Sequence, residues 1–323
     1  MNLVLKNKIK ILTDFKSPLE MFNLDKKNIL EIKKKFKGNI AFELIDIKKL
    51  KKIYDADIYW GTRINNKIIN RITNLKWIHF GSVGVDKIDL ENAKKRKIII
   101  TNSKKINTDA MVNLIIYYLI DTSKKIIFLN KKKTRNDYES LFLNCKDLSK
   151  QKICILGYGQ ISKKIKNYLK YLNINYCYFS RRFLNSKKII NEKKFINTLN
   201  NFDTIINLLK SDKKNLNFLN MKLFKKMKKN INLILVGRIA TVDMKDLYKF
   251  LSQNKKSNCY IDAIPTNGNN HLFKKLNDLH NVFISPHIGG YFREYWNLQM
   301  NLFQRNLILY MNKKKLINQI KNI

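Results

Sequence analysis

A chain of 323 residues is too long for one ordinary core and suits two domains of about 150 residues each. Its 45% hydrophobic content is that of a globular protein, and its longest apolar stretches, such as residues 114–120, fall far short of the roughly 20 residues a membrane helix needs. The formal net charge is +41, from 65 Lys and Arg against 24 Asp and Glu, and the pI is near 10.0, which raises nucleic acid or an anionic surface as a partner.

The distribution of that charge argues against such a partner. Basic residues run from Lys6 to Lys321 and gather in no single arm or helix face. Asn and Ile are also used heavily, while Gly (10) and Pro (3) are scarce, a pattern of biased coding composition whose structural consequence is solvated lysine faces. Neither a specific nucleic-acid partner nor a membrane is expected. Cys145, Cys154, Cys177 and Cys259 show no CxxC or metal-ligand spacing, so no metal site or disulfide framework is expected and a reducing cytoplasm fits. The start, MNLVLKNKIKIL, alternates apolar and basic residues and has no apolar core of a signal peptide.

In chain order, short apolar runs predict strands at Ile9–Thr13, Ile40–Leu44, 58–60, Trp77–Phe80 and 98–101, with helices at 26–36 and 65–72. They form one small α/β unit ending near residue 103. Residues 109–120 are apolar on all sides and predict a buried helix; a polar, Lys-rich stretch follows at 131–137. A second α/β unit opens with the strand Lys152–Leu156 and continues with strands at 176–179, 204–208, 233–236, 260–262 and Val282–Ser285. An amphipathic tail at 295–310 places Trp296, Met300, Phe303, Leu307 and Tyr310 near one face. Strands alternating with helices imply parallel sheets flanked by helices, as in Rossmann-like domains.

The strongest single motif is KICILGYGQIS, in which an apolar strand runs into Gly157-Tyr158-Gly159-Gln160-Ile161-Ser162 and then into a helix over 163–171. Gly157 permits a tight turn and Gly159 a close backbone approach to a pyrophosphate held on the amides of Gln160 and Ile161; Ser162 is small enough for close helix–strand packing. The next strand ends in Ser180-Arg181-Arg182, where an NAD site would place an acid against the ribose 2′-hydroxyl. A hydroxyl and two guanidiniums would instead hold a 2′-phosphate, which favours NADP(H) over NAD(H).

Further segments, in order, resemble the D-isomer-specific 2-hydroxyacid dehydrogenases of the glyoxylate/hydroxypyruvate reductase type: LKWIHFGSVGVDKIDL, ITNSKKINTDAMVNL, LILVGRIATVDMKDLYKFL, YIDAIPTNGNN, NVFISPHIGGYFREY and NLILYMNKKKLINQI. The resemblance covers almost the whole chain. It implies two Rossmann-like domains with an active-site cleft between them: a discontinuous substrate domain, 1–103 with 290–323, and a dinucleotide-binding domain, 104–289. It implies hydride transfer between NADP(H) and a small 2-keto or 2-hydroxy acid, and a homodimer for which the helix near Met111 could serve.

By residue, the resemblance makes Arg238 the group that binds the substrate carboxylate and polarises the carbonyl, and His287 the general acid/base. Backbone amides of Val83 and Gly84 would hold the carboxylate, and Asp262 would contact the nicotinamide carboxamide. The family's histidine-orienting glutamate is replaced by Asn267, an amide that can hold an imidazole but carries no charge to stabilise imidazolium. The glycine expected after Arg238 is Ile239, whose branched side chain would crowd the pocket; Leu235 and Lys210 are further departures. These departures support an alternative, a catalytically weak or inactive dinucleotide-binding sensor or scaffold of the same superfamily.

Overall fold

The computed structural model describes residues 8–15, 24, 26–46, 53–85, 88–129, 139, 145–182, 185–262 and 270–320. The chain divides into two compact units, Met1–Ile106 with Phe292–Ile323, and Asn107–Tyr291.

The first unit is built on a parallel five-stranded sheet in the order β2-β1-β4-β6-β7, with β1 at Ile9–Thr13, β2 at Ile40–Leu44, β4 at Ile58–Gly61, β6 at Trp77–Phe80 and β7 at Ile99–Asn102. This is a doubly wound order, and successive residues bury on opposite faces. Leu12, Tyr59, Ile78 and Ile100 enter one core; Ile11, Ile58, Trp60 and Trp77 enter the other. The second core also holds α1 (Lys26–Lys35) and the tail helix α11 (Tyr295–Met311), whose Phe303 stacks on Trp60 at 4.0 Å between ring centroids. His79 lies in the same layer, fully buried beside Thr101 Oγ1 at 2.6 Å, and burial drives its pKa down to about 3, so the ring is a neutral packing group. Two short helices, α2 (Asn66–Ile69) and α3 (Leu90–Lys95), contribute Ile68, Ile69 and Ala93 to the opposite core.

The helix expected over 65–72 is shorter than its pattern. Asn65 caps it, it ends at Ile69, and Ile72–Thr73 leaves as β5 to pair with β3 at Tyr54–Asp55. Ile72 buries completely in that pairing, which outweighs one further helical turn.

The second unit carries a parallel seven-stranded sheet in the order β10-β9-β8-β11-β12-β13-β14. Its strands are β8 Lys152–Leu156, β9 Asn175–Phe179, β10 Ile189–Ile190, β11 Thr204–Asn207, β12 Asn232–Leu235, β13 Asn258–Asp262 and β14 Val282–Ser285. Both faces are covered, which is why these strands read as near-continuous apolar runs. On one face α4 (Thr108–Lys124) and α6 (Gln160–Tyr171) pack Val112, Ile115, Leu119, Ile165 and Leu169 on Ile153, Ile155 and Tyr260; a single-turn helix, α5 (Ile126–Leu129), adds Phe128. On the other, α7 (Glu192–Asn197), α8 (Met221–Phe224), α9 (Met244–Gln253) and α10 (Asn270–Asn277) bring Phe195, Phe224, Leu247 and Leu276 onto Cys154, Leu156, Leu233 and Cys259. Each such aliphatic or aromatic side chain contributes about 1.5–3 kcal/mol by leaving water.

Two expectations change. The helix predicted as buried on all sides is α4, and it exposes Tyr117 and Ile120 while Met111, Val112, Ile115 and Leu119 face the sheet; one face is enough to dock it. Strand β13 starts two residues earlier than its apolar run because Asn258 pairs in register with Asn232 and donates to its side chain at 3.2 Å, a buried polar pair invisible to a hydrophobicity pattern.

Candidate functional site

The order of the seven-stranded sheet reverses between β8 and β11, and the glycine turn leaves the end of β8 at that point. Gly157 has φ +99°, and a Cβ there would sit 3.0 Å from the Leu208 carbonyl oxygen, so the fold itself demands glycine. Gly159 differs. It caps α6 with extended backbone and no side-chain hydrogen bond, and a Cβ on it would meet nothing within 4 Å. Two other helices of the unit are capped by side chains, although α4 is not: Asn191 accepts from Lys194 N–H and Asp243 from Lys245 and Asp246 N–H. The first-turn amides of α6, including those of Gln160 and Ile161, have neither such a cap nor an acid in the first turn. Ser162 is buried and donates to the Gly157 carbonyl at 2.7 Å, closing the helix onto the turn.

The residues after β9 have separate environments. The Arg181 guanidinium is held by Glu192 Oε2 at 2.6 Å and by Asn215 Oδ1, and lies over the Phe218 ring at 4.8 Å. Ser180 Oγ accepts from the Arg182 amide at 3.2 Å, and Arg182 is exposed. Arg181 is therefore a strut between loop and helix, and the tie to Glu192 and Asn215 is what sequence reasoning missed.

At the other end of the sheet, Asp262 and Ser285 close β13 and β14 as register partners. Asp262 is 2% exposed, and its carboxylate accepts from Ser285 Oγ at 2.5 Å, Ile288 N–H at 2.8 Å and Gly289 N–H at 2.9 Å. Tyr118 on α4 donates in turn to Ser285 Oγ at 2.8 Å, and burial pushes that phenol up to about 12. This clamp fixes the loop bearing His287, which sits at φ +58°, with its ring exposed and without a hydrogen-bond partner among the described residues. A non-glycine residue in that conformation costs about 1 kcal/mol, held here by the bonds on either side of it. Gly289 cannot carry a Cβ, which would fall 2.6 Å from Asp262 Oδ2. Ser285 and Tyr118 were not singled out in the sequence; their signal was only the Ser-Pro-His context of one and the burial of the other.

Arg238 follows β12 through Gly237, where a Cβ would fall 2.9 Å from the Asn207 carbonyl oxygen and 3.1 Å from that of Leu209, too close for any other residue to pass without a shift. The Arg238 carbonyl is tied down by Thr241, through its N–H at 3.0 Å and its hydroxyl at 2.6 Å, and the side chain is exposed. The Ile239 side chain, partly buried, packs against the core that contains Leu247 and Leu251. Asn267 lies outside the described residues.

In the first unit, Val83 and Gly84 belong to the loop after β6. The Ser82 carbonyl accepts from Ser103 N–H at 3.1 Å and the Val83 carbonyl from Asn102 Nδ2 at 2.7 Å. Because a trans peptide points its N–H opposite to its carbonyl, the Val83 and Gly84 amides are turned away from β7. No group of His, Cys, Asp or Glu that could hold a metal ion occurs among the described residues, and no helix among them is long and apolar enough to cross a membrane.

Comparison with known proteins gives three kinds of likeness. The family model for the D-isomer specific 2-hydroxyacid dehydrogenase NAD-binding domain matches residues 116–289. A glyoxylate reductase of Thermococcus litoralis is 28% identical over 266 residues, 77% of each chain, and one of Pyrococcus horikoshii is 27% identical over 261 residues, 76% of this chain and 75% of that protein. The solved structure of an NADPH-dependent glyoxylate/hydroxypyruvate reductase from Sinorhizobium meliloti superposes with a TM-score of 0.77 over 98% of both chains at 17% identity, a likeness of fold.

Proposed function

The chain belongs to the D-isomer specific 2-hydroxyacid dehydrogenase family, oxidoreductases with an NAD-binding domain, and from that membership we propose that it reduces small 2-keto acids such as glyoxylate with NADPH. The dinucleotide fits the residues present: open space at Gly159, uncapped amides at Gln160 and Ile161, and no acid in the first turn of α6. Bound there, the cofactor supplies the hydride.

The chain's own residues do the rest. Amides of Val83 and Gly84 hold the substrate carboxylate, and Arg238 pairs with it and polarises the carbonyl oxygen on which negative charge develops. His287 delivers the proton to that oxygen and takes it back in the reverse direction. Asp262 keeps His287 in place and has capacity on Oδ2 for a carboxamide N–H. Asn267 would orient the His287 ring. Ser180 and Arg182 hold the 2′-phosphate, and Arg181, paired with Glu192, braces the loop that presents them. Homodimerisation through the exposed face of α4 around Tyr117 and Ile120 belongs to the same reading.

The observation that carries the proposal is the histidine loop: a buried carboxylate with three donors holds an exposed imidazole in a costly backbone conformation. Such an expense is retained where the imidazole's position matters. The rival reading, a sensor or scaffold that binds dinucleotide without turnover, rests on Asn267 and Ile239, which depart from the family's pattern. The deciding experiment is NADPH and NADH oxidation across a panel of 2-keto acids, with His287→Ala as the blank. Turnover abolished in the variant establishes the reductase, and NADPH binding without turnover establishes the sensor.

A further inference from the structure

The N-terminal ends of the first unit's strands carry a feature that 2-keto acid reduction does not use. An open cavity of about 1340 Å³ lies where β1, β2, β4, β6 and β7 begin, bordered by the end of α11. It sits at the edge of the sheet opposite to the loop of Val83 and Gly84, which follows β6. Five of its thirteen lining residues are lysines, whereas Lys and Arg together supply 65 of the 323 residues of the chain. The cavity is thus about twice as basic as an already basic protein.

Its two carboxylates are engaged by the wall itself. Asp55 accepts from Lys10 Nζ at 2.5 Å and from Asn74 Nδ2 at 2.9 Å; Asp57 accepts from Lys76 Nζ at 2.9 Å and from the Lys10 amide at 3.0 Å. These bonds pair Lys10 and Lys76 with the wall's own acids. Lys8, Lys313 and Lys314 have no anionic partner among the described residues. Lys313 and Lys314 are anchored by their backbones, their amides donating to Tyr310 and Leu309 carbonyls at 3.0 and 2.8 Å. The carbonyl end of α11 offsets part of their mutual repulsion. It does nothing for Lys8, which arrives from another strand. Ile9, Ile99, Met311 and the half-buried Tyr310 give the same cavity an apolar wall.

We propose that this cavity binds a phosphate-bearing small molecule, its phosphates held by Lys8, Lys313 and Lys314 and the rest of it lying on the apolar wall. A multivalent anion relieves the repulsion among the three cations by charge-assisted hydrogen bonds, as a neutral or monovalent ligand cannot. The space exceeds what inorganic phosphate needs and leaves room for a nucleotide. This site does not depend on the dehydrogenase reading.

The test is calorimetric titration of the full chain with inorganic pyrophosphate and with ADP at physiological ionic strength. It compares the wild type, Lys8→Glu/Lys314→Glu, and Lys166→Glu/Lys170→Glu, an equal charge change on exposed positions of α6. The expected result is one binding event that weakens at least about tenfold in the first variant and persists in the second. Tighter binding of ADP than of pyrophosphate assigns the apolar wall to a nucleoside; equal binding assigns the site to the phosphates alone. ADP held at the glycine turn would survive in the first variant and is counted separately. Isotherms identical in the wild type and the first variant, equal losses in both variants, or no binding of either probe would overturn the proposal.

Discussion

Arg181 and Arg182 are neighbours in sequence with different work to do. The guanidinium of Arg181 is spent on Glu192, Asn215 and the Phe218 ring, so a phosphate placed beside it competes with a carboxylate already there. Arg182, exposed, has its cation available. Arg182→Ala should therefore weaken NADPH by about tenfold, the worth of one hydrogen bond to a charged group, and leave NADH unchanged. Arg181→Ala should lower the urea midpoint and affect both cofactors alike. The ratio of KM for NADPH to KM for NADH decides the matter: if Arg182→Ala leaves it unmoved, Arg182 does not hold the 2′-phosphate. The same contrast shows what single residues conceal. That Arg181 is a strut depends on Glu192, eleven positions on, and on Asn215 beyond β11, partners that only the folded chain brings together.

At the scale of elements, the two glycines of the β8–α6 turn separate what the fold needs from what a ligand needs. Gly157→Ala puts an L-residue at φ +99° with its Cβ 3.0 Å from a carbonyl oxygen, and should destabilise the protein by about 1–3 kcal/mol. Gly159→Ala meets no protein atom within 4 Å, so thermal unfolding should stay where it is while dinucleotide affinity drops. A melting point lowered equally by both substitutions, with affinity intact in Gly159→Ala, would show that the second glycine serves the fold. The strands and helices around this turn were legible because each buries an apolar face at a regular period: Ile153 and Ile155 one way, Cys154 and Leu156 the other. The Asn232–Asn258 extension of β13, held by a buried polar pair, was not, nor was the early end of α2, which the burial of Ile72 in the β3–β5 pairing decides. Positions such as Asp262 and His287 could be named from the sequence, but the clamp that joins them could not. It exists because β14 lies beside β13 in register, placing Ser285 and the amides of Ile288 and Gly289 at one carboxylate.

Over the whole molecule, charge is the term that composition leaves least balanced. Both units carry lysines on exposed positions of their helices, as at Lys34 and Lys35 on α1 and Lys163, Lys166 and Lys170 on α6, so repulsion is spread through the structure and not confined to one binding face. Ion pairs offset little of it. Pairs such as Lys10–Asp55 are exposed and screened by water, so each contributes little, and 24 acids cannot partner 65 bases. A net charge of +41 must therefore weaken the compact state relative to the expanded chain, in which the same charges stand further apart. Added salt should stabilise this protein, where it would weaken one resting on surface ion pairs. Raising NaCl from about 0.1 to about 1 M shortens the screening length from about 10 to about 3 Å. The urea midpoint should climb over the first part of that range and then level off, because screening saturates while salting-out grows steadily with concentration. A midpoint that falls with salt would mean that attractive pairs outweigh the repulsion. One that rises in a straight line throughout would assign the effect to salting-out and leave the charge without a role in stability.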